Sequence, residues 1–336
     1  SHPVFGALIA RQLEQMWHLL GDPPVFQVIE VGSGDGALAR SIVDACWRMA
    51  PGFAQVLYYV AADYEPGWLQ SADQTFDWDN RTGDWISPSR QIQFLGIQRV
   101  KTEGLQTFRN VVGCILCNEL IDNFPVHRFA IQGGRVKEVF VTLEGENFTE
   151  VLDEPSSPSI EKRLTSLGLS LTEGYRGEVN LAMEDWTGQL SRALDRGFIL
   201  TIDYGQLATD LYSPQNSQGT LVCYYRHVVS SDPYQHIGQQ DITCQVDFTS
   251  LIRLGGRHGL ATVGYALQSQ FLTNLGFSSF LDALQTQGLS AARTALSRMA
   301  MMTLVDSDEY GDFKVLAQAK GNGLGIELLG FTSQGT

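Results

Sequence analysis

Residues 26–36, Phe-Gln-Val-Ile-Glu-Val-Gly-Ser-Gly-Asp-Gly, constrain this chain more than any other stretch. An apolar run carries Glu30 near its end and then breaks into glycines at alternate positions, Gly32, Gly34 and Gly36. An amphipathic segment, 37–50, follows at once. A buried parallel strand feeding a glycine turn and then a helix is how doubly wound sheets hold a nucleotide-like ligand at their carboxyl edge. Glycine lets the backbone turn tightly and approach the ligand where any Cβ would collide.

Two ligands fit such a turn. A dinucleotide fingerprint needs G-x-G-x-x-G or G-x-G-x-x-A, which Gly32, Gly34 and Ala37 satisfy. The alternative is E-x-G-x-G-x-G, the S-adenosylmethionine turn of class I methyltransferases. That ligand carries an ammonium and a sulfonium and no pyrophosphate, so it favours a carboxylate such as Glu30, which would repel a phosphate. The next apolar run, 56–62, ends in Asp63, and a carboxylate there can accept both hydroxyls of a ribose. Asp63 lies 27 residues after Gly36, later than the dinucleotide spacing of about 20. The combination of Glu30, three glycines and Asp63 favours S-adenosylmethionine as cofactor; the remaining reading is a turn that serves packing alone.

Charge narrows the partners. With 23 Lys and Arg against 37 Asp and Glu, the formal charge of −14 argues against a sequence-independent grip on nucleic acid. No apolar run approaches the ~20 residues of a membrane span. The five cysteines stand at 46, 114, 117, 223 and 244. Cys114 and Cys117 form a C-x-x-C without the second pair a zinc site needs, and on a strand they point to opposite faces. Buried thiols in a reducing compartment, and hence a cytoplasmic location with no metal, are the expectation. The first residues carry no signal-peptide pattern and open almost directly into a helix, so a further N-terminal segment is expected to precede them.

Periodicity predicts a helix over 5–20, stopped by Pro23-Pro24. Strands are expected at 92–97, 111–117, 198–202, 260–263 and 313–319, with a helix over 179–196. Alternating strands and helices imply an α/β fold built on a doubly wound, mostly parallel, seven-stranded sheet. Two stretches interrupt that plan. Segments 135–143 and 148–152 flank Glu144-Gly-Glu-Asn147 and read as a hairpin. The stretch 206–247 is rich in tyrosine, histidine and polar residues and suits the rim of a site. The expected organisation is a cofactor-binding half over 1–132, an insertion over 133–178, and the rest of the sheet with the acceptor-site rim over 179–336.

The run at 111–117 continues into Asn118-Glu119-Leu-Ile-Asp122-Asn-Phe-Pro125-Val-His127-Arg128-Phe129. In a methyltransferase-like sheet the end of the fourth strand faces the transferable methyl group, which places Asn118, Glu119 and Asp122 beside the sulfonium. Asn-Glu-x-x-Asp-x-x-Pro-Val-x-x-Phe resembles the hallmark of the MidA-like methyltransferases, the family that includes mitochondrial complex I assembly-factor enzymes. Similar matches recur in order at 30–36, at Ile202-Asp-Tyr-Gly205, at Tyr225-Arg-His227, over 238–248 and over 311–316. The resemblance implies a class I fold with an added helical and hairpin region, S-adenosylmethionine as cofactor and, from the mitochondrial members, a protein arginine as acceptor. The chain departs from the family at Leu120-Ile121, Asn123-Phe124 and Gln245, positions expected to face the acceptor.

Methyl transfer from a sulfonium is an in-line displacement in which the protein positions donor and nucleophile. For a guanidinium acceptor, Glu119 and Asp122 are the carboxylates that hold it and accept its proton. For a hydroxyl of a small molecule or carrier-bound intermediate a base is needed, and His227 is preferred to His127. Asp122 and Asp203 have the alternative of capping turns. A third reading is an assembly or scaffold protein that binds the cofactor without turnover. The sequence leaves the oligomeric state open.

Overall fold

The computed structural model describes residues 2–64, 97–226, 228–285, 290–321 and 326–332, together with the backbone of 78–79 and 84–85. The chain divides into two compact units, one formed by 1–118, 189–203 and 258–336, the other by 119–188 and 204–257.

The first unit holds a seven-stranded sheet. Its strands, in chain order, are β1 (Phe26–Val31), β2 (Leu57–Asp63), β3 (Gln98–Lys101), β4 (Val111–Asn118), β5 (Leu194–Asp203), β6 (Ala261–Leu267) and β7 (Lys314–Lys320). Across the sheet they run β6-β7-β5-β4-β1-β2-β3. All neighbours pair parallel except β7, which is antiparallel to both β5 and β6. The centre is apolar on both faces because both are covered; β1, β4 and β5 are near-continuous buried runs, as parallel strands under helices require. Strand order reverses between β1 and β4, so the carboxyl ends of those two strands open the crevice where doubly wound sheets bind ligands.

Helix α1 (Pro3–Leu19) starts with proline in its first turn and with the His2 ring accepting from the Val4 amide at 3.2 Å. It packs on helix α2 (Ala37–Met49) so closely that a Cβ at Gly6 would strike Ser41, which is why glycine sits there. α2 follows the glycine turn directly, and its apolar face, Leu38, Ala39, Ile42, Ala45 and Cys46, is buried.

The second unit carries a four-stranded antiparallel sheet in the order 176–179, 127–132, 135–144 and 147–153. The expected hairpin is present: Glu144 pairs with Asn147 across a tight turn in which Gly145 takes a φ of 65°. Phe129, Tyr175 and Tyr212 pack with Ile160 and Leu164 of helix Pro158–Leu167. The tyrosine-rich stretch forms a three-stranded sheet of 228–230, 222–225 and 241–243, followed by helix Phe248–Arg257.

Several boundaries differ from those expected. Val179 ends a strand against His127, and the helix begins at Ala182 after the Asn180 side chain accepts from the Met183 amide, an N-cap the apolar periodicity hid. The fifth strand is longer than 198–202, and the sixth runs on to Leu267. Most of the third strand expected at 92–97 lies outside the described residues, whose strand is Gln98–Lys101. The contiguous division at 132 and 178 differs from the two interleaved units, because residues 119–188 and 204–257 fold on one another while 189–203 and 258–336 return to the large sheet. Among the described residues no group of three or more His, Cys, Asp and Glu could hold a metal, and no helix is long and apolar enough to cross a membrane.

Candidate cofactor site

The turn after β1 is built for close approach. Gly32, Gly34 and Gly36 all take positive φ, at 76°, 52° and 72°, a region an L side chain enters only with strain. The turn is fixed to the neighbouring strand: the amides of Gly32 and Ser33 donate to the Ala62 carbonyl at 2.9 and 3.2 Å. The Gly34 amide donates to Asp63 Oδ2 at 2.7 Å, which ties the end of β2 to the glycine turn. Asp35 accepts from the Ala37 amide at 2.8 Å, and the Gly36 amide donates to the Ser33 carbonyl at 2.8 Å, closing the first turn of α2.

Glu30 points inward. It is 3% exposed and its Oε2 accepts from the Tyr59 hydroxyl at 2.8 Å. Burial pushes its pKa up to about 7; the Tyr59 bond opposes this, and Asp35 and Asp63 raise it further. Three carboxylates thus share one turn, a field hostile to a pyrophosphate and suited to a cation. Because the folded pKa lies above the ordinary 4.5, the contribution of Glu30 to stability is present in full below about pH 4.5 and is lost as pH rises through about 7. The shift corresponds to about 3 kcal/mol. In the cofactor-free protein, Glu30→Gln is expected to flatten stability between pH 5 and about 8, read as Tm against pH. An unchanged slope would place the titration elsewhere.

Asn118 closes the other side of the crevice. It is the last residue of β4, in register with Ile202 of β5, one position past the Val31–Cys117 pair. The structure therefore brings Glu30, Gly32, Gly34, Gly36, Asp63 and Asn118 to one edge of the sheet, within one unit. Asp203 ends β5 at that edge and is wholly buried. Sequence reading missed Tyr59, whose hydroxyl holds Glu30; its signal was its place two residues before Ala61, the partner of Glu30 in register.

The second unit begins with the acids that follow β4. Glu119 is exposed and takes a φ of 49°, unusual for a residue with a side chain. Asp122 lies in the short turn Ile121–Asn123, is 4% exposed, and accepts from Asn123 Nδ2 at 2.9 Å. Burial raises its pKa, against bonds from the Tyr204 hydroxyl and Asn123. Its carbonyl accepts from the Cys244 amide at 3.1 Å, pinning this turn to the strand end at 243. The two acids are not equivalent: one faces solvent, the other is enclosed.

His127 is paired with Glu138 at 2.7 Å. Although burial pushes Glu138 up, its bonds from His127 and the Ser156 amide hold its pKa below the usual value. This is a packed, structural pair. His227 lies outside the described residues. All five cysteines are free and buried, Cys114 and Cys117 with pKa values raised by burial, as inert core thiols behave.

A sheet ordered 3-2-1-4-5-7-6 with strand 7 reversed, a glycine turn after strand 1 and acids on strands 1 and 2 define a class I S-adenosylmethionine-binding methyltransferase. A family model of S-adenosyl-L-methionine-dependent methyltransferases matches residues 8–266, and the chain belongs to that family. A protein from Burkholderia thailandensis, solved with S-adenosyl-homocysteine bound, superposes with a TM-score of 0.80 at 27% identity, covering 98% of this chain and 79% of that one. A native structure from the same organism gives 0.79 at 28%, covering 98% and 82%. Among curated proteins, the mitochondrial protein arginine methyltransferase NDUFAF7 homolog of Drosophila melanogaster is 24% identical over 95% of this chain and 73% of its own length. Its Danio rerio counterpart is 23% identical over 94% and 75%.

The cofactor is S-adenosylmethionine, and the residues present suit it. The glycine turn leaves space where side chains would stand, Glu30 and its acidic neighbours suit the ammonium and sulfonium, and Asp63 at the end of β2 suits the ribose hydroxyls. Asp63→Ala is expected to weaken S-adenosylmethionine binding by about 10- to 100-fold, measured by calorimetry, with NAD silent for both proteins. Heat from NAD would contradict the assignment.

Proposed function

We propose that this chain methylates an arginine side chain of a protein, with Glu119 holding the guanidinium and Asp122 positioning the turn that presents it. S-adenosylmethionine, when bound, supplies a methyl group activated on a sulfonium. One guanidinium nitrogen takes the methyl and sheds one proton, which passes to the Glu119 carboxylate; S-adenosyl-homocysteine leaves. The carrying observation is the backbone of Glu119. A non-glycine residue at φ 49°, exposed and immediately after the strand that ends at Asn118, holds strain that packing alone does not call for. Asp122 is too enclosed to grip an acceptor and acts through the turn it fixes. The names of the two curated relatives support arginine as the acceptor class.

A hydroxyl acceptor served by a histidine base has less support, since His127 is engaged by Glu138. The cofactor-binding scaffold without turnover is opposed by the strained acid after β4. We place the chain in the cytoplasm, to which free buried cysteines are suited; the curated relatives carry mitochondrial names.

The test offers methyl-labelled S-adenosylmethionine with peptides bearing arginine, lysine or serine as the sole acceptor. Label retained on arginine after base treatment is the expected result. Label on serine alone, or cofactor binding with no label on any peptide or on a cell extract, would overturn the proposal.

A further inference from the structure

Two helices of the second unit line a cleft of about 530 Å³, a size suited to a small ligand. Helix Pro158–Leu167 presents positions 159, 162, 163 and 166, and helix Phe248–Arg257 presents 250, 253, 254 and 257. Each set is spaced i, i+3, i+4, i+7, a single helical face. In a chain of net charge −14, these faces bring Lys162, Arg163, Arg253 and Arg257 to one cleft whose lining includes a single acid, Glu184.

The cations outnumber what the fold uses. Arg257 pairs with Glu184 at 2.6 Å, and Arg163 reaches the same carboxylate at 3.5 Å. Arg253 donates to the Ser166 carbonyl at 2.5 Å and Arg163 to that of Asn180 at 3.3 Å, bonds that neutralise no charge. Lys162 has no partner among the described residues. Asp247 also acts on Arg163 electrostatically, but its carboxylate is taken up by the Ser250 hydroxyl and amide. With both acids ionised, four cations face two carboxylates, a surplus of two. Lys162 and Arg253, the two cations without a carboxylate partner, are exposed at the cleft, while the Arg163 side chain is only 10% exposed and sits in its wall.

We propose that this cleft binds a small molecule bearing a phosphoryl group, held by Lys162, Arg163 and Arg257. A phosphate monoester carries close to two negative charges at neutral pH and three acceptor oxygens, matching the surplus and the planar forks of the arginines. A lone carboxylate would leave half the surplus uncovered. The proposal is independent of the identity of the methyl acceptor.

The test titrates inorganic pyrophosphate into the full chain by calorimetry at low ionic strength, with citrate and matched sodium chloride as comparisons. Saturable binding of pyrophosphate is expected, citrate weaker by about tenfold or more and sodium chloride without saturable heat. Lys162→Glu changes an exposed, unpartnered residue; it is expected to keep the fold and S-adenosylmethionine affinity while weakening pyrophosphate by at least about tenfold. Arg257→Gln, a second variant, is expected to do the same. Absence of saturable binding up to about 10 mM, citrate equal to pyrophosphate, or unchanged affinity in folded Lys162→Glu would each overturn it.

Discussion

Replacing Glu119 with glutamine is expected to lower arginine methylation by about 10³-fold while leaving S-adenosylmethionine affinity within about twofold. Glutamine keeps the length and shape of the side chain but can neither balance the guanidinium charge nor take its proton. The loss should fall on kcat more than on the cofactor's Kd, because the substitution keeps the side chain's size and leaves Glu30, Asp63 and Asn118, the residues that suit the cofactor, unchanged. Single-turnover measurement with labelled cofactor and an arginine peptide reads this directly. A companion variant separates chemistry from folding. Glu119→Gly relaxes a φ of 49° while loosening the unfolded chain, so its stability should stay within about 1 kcal/mol of the parent although its activity is gone. Wild-type rates in folded Glu119→Gln would remove Glu119 from the chemistry. A larger loss in His227→Ala than in Glu119→Gln would instead favour a hydroxyl acceptor.

The cofactor edge was legible because its signals are local. Glu30, the alternate glycines and Asp63 each sit where one strand meets one turn, and the apolar runs on either side define those strands without tertiary help. The acids after β4 were legible for the same reason. What they do was not, since Glu119 and Asp122 differ by burial and backbone conformation, which three-residue spacing does not encode. Other features depend on pairing between distant segments. The Glu138 partner of His127 comes from a neighbouring strand, and Tyr59 reaches Glu30 across a strand pair. The basic cleft joins two helical faces about ninety residues apart, each unremarkable by itself in an acidic chain. The hairpin and the tyrosine-rich stretch that interrupt the sheet in sequence both fall in the second unit, but composition does not say that they join, and the interleaving is a matter of topology. It arises because 189–203 supplies the interior strand β5, which had to return to the large sheet between two stretches of the smaller unit.

The centre of that sheet makes the largest stability prediction. Gln27 of β1, Gly113 of β4 and Gly197 of β5 lie in one row across three adjacent strands. A Cβ at Gly113 would fall well inside contact distance of the Gln27 carbonyl and amide, and one at Gly197 would meet the Gly113 carbonyl. Both glycines also hold positive φ, 152° and 137°, so a side chain would be strained before it collided. Backbone atoms of a paired strand cannot step aside as a flexible side chain can, and relief requires parting β4 from its neighbours. Gly113→Ala is therefore expected to destabilise the protein by about 3–5 kcal/mol, a large part of a typical domain's total, with Gly197→Ala close behind. The check is urea unfolding followed by circular dichroism. Gly133→Ala serves as a control, since it shares a positive φ of 60° but meets nothing within 4 Å. It should lose only about 1 kcal/mol from conformation. If Gly113→Ala matched that control, steric exclusion between β1 and β4 would not be what requires glycine there. If instead it unfolds several kcal/mol earlier, the row explains why Asn118, five residues along the same strand, keeps its register with the glycine turn: β4 can approach β1 this closely only where Gly113 leaves room for the Gln27 backbone.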